Sequence, residues 1–282
     1  MLASACALAD DAVSTQAAQS PSANSPAVAT LAPNLVTAPD GALSLAIDFA
    51  MLRHWHIYWS NPGDSGGPTR VKAALPPGWT AEPARLPRPQ VLGTGDDRAY
   101  GYEDSVRVLV PIGKHPDPMP ERIEVTVEAQ WLVCRESCLM GNAKLTGSVI
   151  TQVRPAQPTH AFPEPSPAAL RSRIEGTGVK RDLIIEAPVE LVSETAIFVP
   201  GESHGAFLDG GSGPFSPVRR EQSLVWRIPF ELQTDTAGAT DGRLRGLVLA
   251  GVKNLDRAFD IDIPIDEGSK NPNSQPQNRR IP

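Results

Sequence analysis

Three cysteines occur in 282 residues, and two of them, Cys134 and Cys138, stand four positions apart in QWLVCRESCLMG, residues 130–141. A crosslink between residues so close removes little entropy from the unfolded chain, so its stabilising effect lies near the bottom of the usual range. Such a pair is better suited to thiol–disulfide exchange, in which a thiolate attacks a disulfide sulfur and forms a mixed disulfide. Arg135 favours a thiolate and Glu136 opposes one, so the sequence leaves open which sulfur attacks. A small structural staple at a hairpin tip is the plainer alternative. A metal site with Met140 or His115 is another, although two sulfurs without a second cysteine pair make a poor zinc set.

Bridged cysteines hold their Cα atoms about 4.4–6.8 Å apart, whereas four residues of straight strand span roughly 13 Å. The chain must therefore turn between Cys134 and Cys138, either as a hairpin with RES as its loop or as one helical turn. Ile123, Val125, Val127, Ala129, Trp131 and Val133 alternate with other residues, which predicts a strand leading into the pair. In that phase Cys134 falls with Glu124, Thr126, Glu128 and Gln130. The phase predicts an accessible thiol, provided that no bulge intervenes.

The rest of the chain reads as further short strands. Hydrophobic residues make up 40%, enough for buried cores, and the high Pro and Gly counts (29 and 23) favour strands joined by turns. Alternation recurs over Leu43–Met51, Trp55–Trp59, Val106–Ile112, Leu224–Phe230 and Phe259–Ile265. The expected fold is all-β, with two tandem immunoglobulin-like β-sandwich domains and a short linker. Residues 1–9 resemble the end of a signal peptide, with Cys6 leaving in it, and the Ala-, Ser- and Pro-rich 10–33 reads as a flexible linker. A first domain is expected over 34–155, a linker over 156–180 with a short helix at AALRSRIEG, and a second domain over 181–268. Residues 269–282 read as a disordered tail.

The net charge of −6 and the lack of a basic tract argue against nucleic acid as a partner. No run approaches the roughly 18 apolar residues of a membrane helix. His54 and His56 would share a strand face with Tyr58 and could bind copper weakly, although a solvated face explains them as well. His115, His160 and His204 are isolated. GDSGG, residues 63–67, lacks the histidine and aspartate context of a serine nucleophile and reads as a turn. Asp96, Asp97, Glu103 and Asp104 read as a solvated acidic loop, and no phosphate cradle or dinucleotide fingerprint is present.

HWHIYWSNPGDSGGPT (54–69), LGTGDDRAYGYEDSVRVLVPI (92–112) and QWLVCRESC (130–138) follow one another as in the N-terminal periplasmic region of the DsbD/ScsB family. AIFVPG (196–201) and RLRGLVLAGV (243–252) resemble the second immunoglobulin-like domain of its ScsB-like branch, which is linked to copper tolerance. The resemblance implies a periplasmic relay. Cys134 and Cys138 would accept electrons from a membrane electron-transfer domain of the family and reduce thioredoxin-fold periplasmic proteins, with no bound cofactor and no metal. Cys138 would be the attacking sulfur. DRAYG, from Asp97 to Gly101, stands where relatives carry a cap loop, so Tyr100 and then Tyr102 would shield the disulfide. Ordinary sandwich packing is the alternative for both rings. DsbD itself has more residues between its cysteines, so its cap geometry does not transfer directly. The competing class is a periplasmic binding or copper-tolerance module whose disulfide is structural.

Overall fold

The computed structural model describes residues 20–63, 66–94, 98–201, 206–208, 211, 213–232, 242–251 and 257–265. Every regular element among them is a β-strand, so the protein is all-β. The chain divides into two compact units. One comprises Met1–Trp59, Gly66–Val91 and Tyr100–His160, the other Ser60–Ser65, Leu92–Ala99 and Ala161–Pro282.

Up to residue 155 the strands are β1 (Ala27–Leu31), β2 (Asn34–Thr37), β3 (Leu43–Met51), β4 (His56–Gly63), β5 (Arg70–Ala74) and β6 (Thr80–Ala81). Next come β7 (Gln90–Leu92), β8 (Ala99–Glu103), β9 (Ser105–Lys114), β10 (Arg122–Cys134) and β11 (Cys138–Pro155). Hydrogen-bonded neighbours run β6-β9-β3-β2-β11-β10-β4-β8-β7, with β1 on β3 and β5 on β10. The alternating apolar residues supply the core: Leu45, Ile47 and Phe49 of β3, Val106, Val108 and Val110 of β9, and Val125, Val127 and Ala129 of β10 are buried. Burying a side chain of the valine-to-phenylalanine class contributes about 1.5–3 kcal/mol.

Two segments differ from the sequence reading. Residues 27–31, expected within a flexible linker, form β1 and pair with β3 from Ala27↔Met51 to Leu31↔Ile47. Ala27, Val28 and Ala29 are buried there, so small side chains suffice where the partner strand satisfies the backbone. The stretch from Ser60 to Gly63, expected to be a loop, continues β4.

After residue 160 the strands are β12 (Arg171–Glu175), β13 (Lys180–Pro188), β14 (Ile197–Pro200), β15 (Ala206–Leu208), β16 (Val218–Arg220), β17 (Ser223–Leu232), β18 (Arg243–Leu249) and β19 (Ala258–Pro264). One sheet runs β12-β13-β17-β15 with β16 also on β17, and a second runs β14-β18-β19. Trp226, Phe198, Phe230, Phe259, Leu183 and Ile185 share one core drawn from both sheets. The short helix expected at AALRSRIEG is instead β12, because Arg171–Glu175 pairs residue for residue with Asp182–Glu186 and packs Ile174 on that core. The C-terminal tail and His204 lie outside the described residues.

The long β10–β11 hairpin positions the cysteines. Its register runs from Arg122↔Ile150 to Cys134↔Cys138 without a shift. On its other edge β10 changes partner: β5 pairs with Thr126–Gln130, and β4 then pairs with Val133 and Cys134. Near the tip Trp131 lies opposite Gly141. A Cβ at Gly141 would come within 2.2 Å of the indole Nε1, so glycine is what lets the ring lie across its partner strand. The ring is also held edge-on by Phe49, with centroids 5.3 Å apart.

Gly141→Ala should therefore destabilise the first unit by about 1–3 kcal/mol, the usual range for overpacking a well-filled site. A urea titration followed by tryptophan fluorescence would read this as a lower midpoint. Adding Trp131→Leu should recover part of the loss; strict additivity of the two changes would refute the clash.

Candidate redox site

Cys134 and Cys138 close the β10–β11 hairpin as directly opposed residues, with Cα atoms 4.1 Å apart and their sulfurs bonded. Of the two turns that the spacing allowed, the hairpin is the one formed. Arg135, Glu136 and Ser137 make its loop, and the Arg135 N–H donates to the Ser137 carbonyl.

The two sulfurs differ in access. Cys138 is exposed, as are Leu139 and Met140 beside it, Met140 at 86%. Cys134 is buried at 3%. The strand phase predicted an accessible Cys134, and this expectation is corrected. The pairing with β11 does continue to Cys134 without a shift. Cys134, however, is flanked by β11 on one edge and β4 on the other, and phase along one strand says nothing about flanking neighbours.

That second neighbour brings a residue to the site. His56 is the β4 partner of Cys134, and directly opposed residues of antiparallel strands project from the same face. The His56 Nε2 lies 3.2 Å from the Tyr58 hydroxyl, and the two rings meet edge to face. Burial pushes the imidazole below its ordinary pKa, partly opposed by the negative charge of Glu103. Burial also pushes the Tyr58 phenol up, which keeps it protonated. At the turn, the Arg135 guanidinium lies 5.6 Å from the Trp55 ring centroid and 3.8 Å from the Glu136 carboxylate. His54, expected to share the strand face of His56, sits before β4 at a positive φ of 66°. Among the described residues no three His, Cys, Asp or Glu side chains cluster as metal ligands would.

A family model, the N-terminal domain of the thiol:disulfide interchange protein DsbD, matches residues 27–149. That span contains both cysteines, the turn between them and His56. Residues 27–149 belong to this family. The N-terminal domain of DsbD has an immunoglobulin-like fold, in keeping with the all-β first unit. No curated protein matches the sequence. Among solved structures, the N-terminal periplasmic domain of ScsB from Proteus mirabilis is similar at 13% identity, covering 84% of this chain and 92% of that one, with a TM-score of 0.45. A conserved domain protein from Bacillus anthracis is similar at 12% identity, with coverages of 85% and 87% and a TM-score of 0.23.

Within the DsbD-type domain, the residues expected to form a cap are arranged differently from a loop. Tyr100, Gly101 and Tyr102 belong to β8, and both rings are buried, at 1% and 0%. Tyr102 donates its hydroxyl hydrogen to the Pro87 carbonyl at 2.6 Å and packs edge-on to His160. A Cβ at Gly101 would lie 2.2 Å from the Ile57 carbonyl, so β8 and β4 meet closely there. Asp97 lies outside the described residues. Strand pairing explains the placement of all three: β8 completes the sheet beside β4, which in turn flanks Cys134. His56 was missed as a neighbour of the cysteines because a single sequence does not reveal which strand pairs with which.

In the reduced domain Cys138 should be alkylated by iodoacetamide well before Cys134, as read by mass after proteolysis. Equal rates would contradict the burial of Cys134. Tyr102→Phe leaves the Pro87 carbonyl without its donor and should cost about 1–3 kcal/mol, measured by urea unfolding, with the reduction potential of the pair unchanged. A shifted potential would instead place Tyr102 in the cover of the disulfide.

Proposed function

We propose that residues 27–149 form a periplasmic protein-disulfide reductase module working by thiol–disulfide exchange. The reduced cysteines transfer electrons to disulfides of thioredoxin-fold partners, and a membrane electron-transfer domain of the same family re-reduces them. The observation that carries this reading is one bonded pair with an exposed sulfur and a buried one. Cys138 stands at an open hairpin tip where a partner disulfide can approach, and Cys134 lies beside it, shielded until it is needed. Leu139 and Met140 add exposed apolar surface next to the attacking sulfur, and an unbranched thioether adapts its shape to different partners.

The chemistry follows from that asymmetry. The Cys138 thiolate attacks a partner disulfide, forming a mixed disulfide and releasing one partner sulfur as a thiolate. Cys134 then attacks Cys138, which restores the Cys134–Cys138 bond and frees the second partner sulfur. Two electrons leave the dithiol and the partner disulfide is reduced. The second unit, whose two sheets enclose their own core, is read as another immunoglobulin-like sandwich that begins at β12.

Equilibration in thiol–disulfide buffers, with free thiols alkylated and counted by mass, gives the reduction potential of the pair. A value of about −270 to −120 mV, the range of exchange-active pairs, is expected, whereas structural disulfides lie below about −300 mV. Cys134→Ser should accumulate a partner joined to Cys138. A potential in the structural range with slow exchange would make the pair a staple.

A further inference from the structure

We propose that His56 is the general base that deprotonates Cys134 when the mixed disulfide is resolved, and that Tyr58 positions it by fixing its tautomer. This inference rests on the exchange reading above and assigns the proton that the reading leaves unplaced.

The need for a base follows from the two environments. Cys138 is exposed, so water can take its proton, and an ordinary thiol ionises with a pKa of about 8.5. Cys134 is buried, and burial disfavours the charged form of a thiol. Resolution nonetheless requires Cys134 as the thiolate, because only the thiolate attacks a disulfide sulfur. A local acceptor answers that requirement.

His56 is placed for this role by strand register. Cys138, Cys134 and His56 are consecutive partners across β11, β10 and β4, so their side chains form a row on one face of the sheet. The imidazole is half-buried, and its depressed pKa leaves it neutral and able to accept a proton near pH 7. Its Nε2 faces the Tyr58 hydroxyl. Either atom of that contact can donate; the tautomer that serves as the base carries its hydrogen on Nε2, donates it to the Tyr58 oxygen and keeps its lone pair on Nδ1, the remaining ring nitrogen. The charge of Glu103 supports the protonated form of the imidazole, and Cys134 is its directly opposed neighbour across the strand pair. Arg135 at the hairpin turn is occupied by Trp55 and Glu136.

The step balances within the reduced pair. Cys134–SH gives its proton to His56, and its sulfur attacks Cys138 of the mixed disulfide. The Cys134–Cys138 bond forms while the Cys138–partner bond breaks, its electron pair leaving on the partner sulfur. That sulfur then takes the proton from the imidazolium. The partner is reduced, the dithiol is oxidised, and His56 returns to its neutral form.

A chromogenic aryl disulfide, 5,5′-dithiobis(2-nitrobenzoate), separates the two stages, because each releases one coloured thiolate. With the reduced full-length chain carrying Cys6→Ser, which removes the third thiol, the first release reports attack by Cys138 and the second reports resolution by Cys134. In the parent, the rate of the second release should fall with an apparent pKa below 6.5, the ordinary histidine value. His56→Gln should slow the second release at neutral pH at least about tenfold, general bases contributing roughly 10²–10⁴-fold. It should also make that rate climb with pH like an unassisted thiol, while the first release changes less than about twofold. Tyr58→Phe should move the apparent pKa of the second release with a smaller loss of rate, a change that a purely structural tyrosine would not produce. A second release in His56→Gln with parental rate and pH profile would overturn the proposal. If that variant does not fold, the parent profile decides alone, since a single thiol-like inflection near pH 8.5 would be equally fatal. A missing first release would instead count against the exchange reading itself, so the two failures are distinguishable.

Discussion

The site depends on the register of one hairpin. Side chains alternate faces along a strand, so moving β11 by one residue against β10 would carry Cys138 to the opposite side of the sheet and unpair the sulfurs. Several features hold the register in place. Trp131 fits only against a residue without a side chain, and Gly141 is that residue. Leu145 and Val149 of β11 are buried in one phase and would both be exposed in the other. On the far edge of β10, β5 and β4 each pair with their own portion of the strand.

The change of partner along β10 shapes the chemistry as well. At the end of β10, Cys134 has a strand on both sides, whereas Cys138 opens β11 among exposed residues. The two sulfurs of one bond therefore differ in exposure, one buried and one open to water. β4 supplies a histidine at the buried end, and the start of β11 supplies a leucine and a methionine at the exposed end. An attacking sulfur and a resolving sulfur need environments that differ in this way.

Much of the fold was legible from alternation alone. The strands around Leu45–Phe49, Val106–Val110, Ile123–Val133 and Leu224–Phe230 carry large apolar residues at every second position, and their faces are fixed by burial. The cysteine pair was legible from its spacing, and the hairpin was one of the two turns that the spacing permits. What was not legible depends on contacts made far along the chain. β1 is built of two alanines, a valine, a threonine and a leucine, a composition that resembles a linker until β3 is seen to pair with it. β12 has a single large apolar residue, Ile174, and becomes a strand through its pairing with β13. The burial of Cys134 and the position of His56 both follow from the β10–β4 pairing, which joins segments about as far apart in sequence as half of the first unit is long.

The bond also joins residues that the sheet already holds together. The chain-entropy model assigns a loop this short about 2 kcal/mol, and next to the bond the two backbones are already paired, Val133 opposite Leu139. Only Arg135, Glu136 and Ser137 lie inside the loop that it closes. In the proposed relay, charging and discharging the pair therefore asks little of the fold: two electrons would be gained or lost at the tip of a hairpin whose register its own strands set.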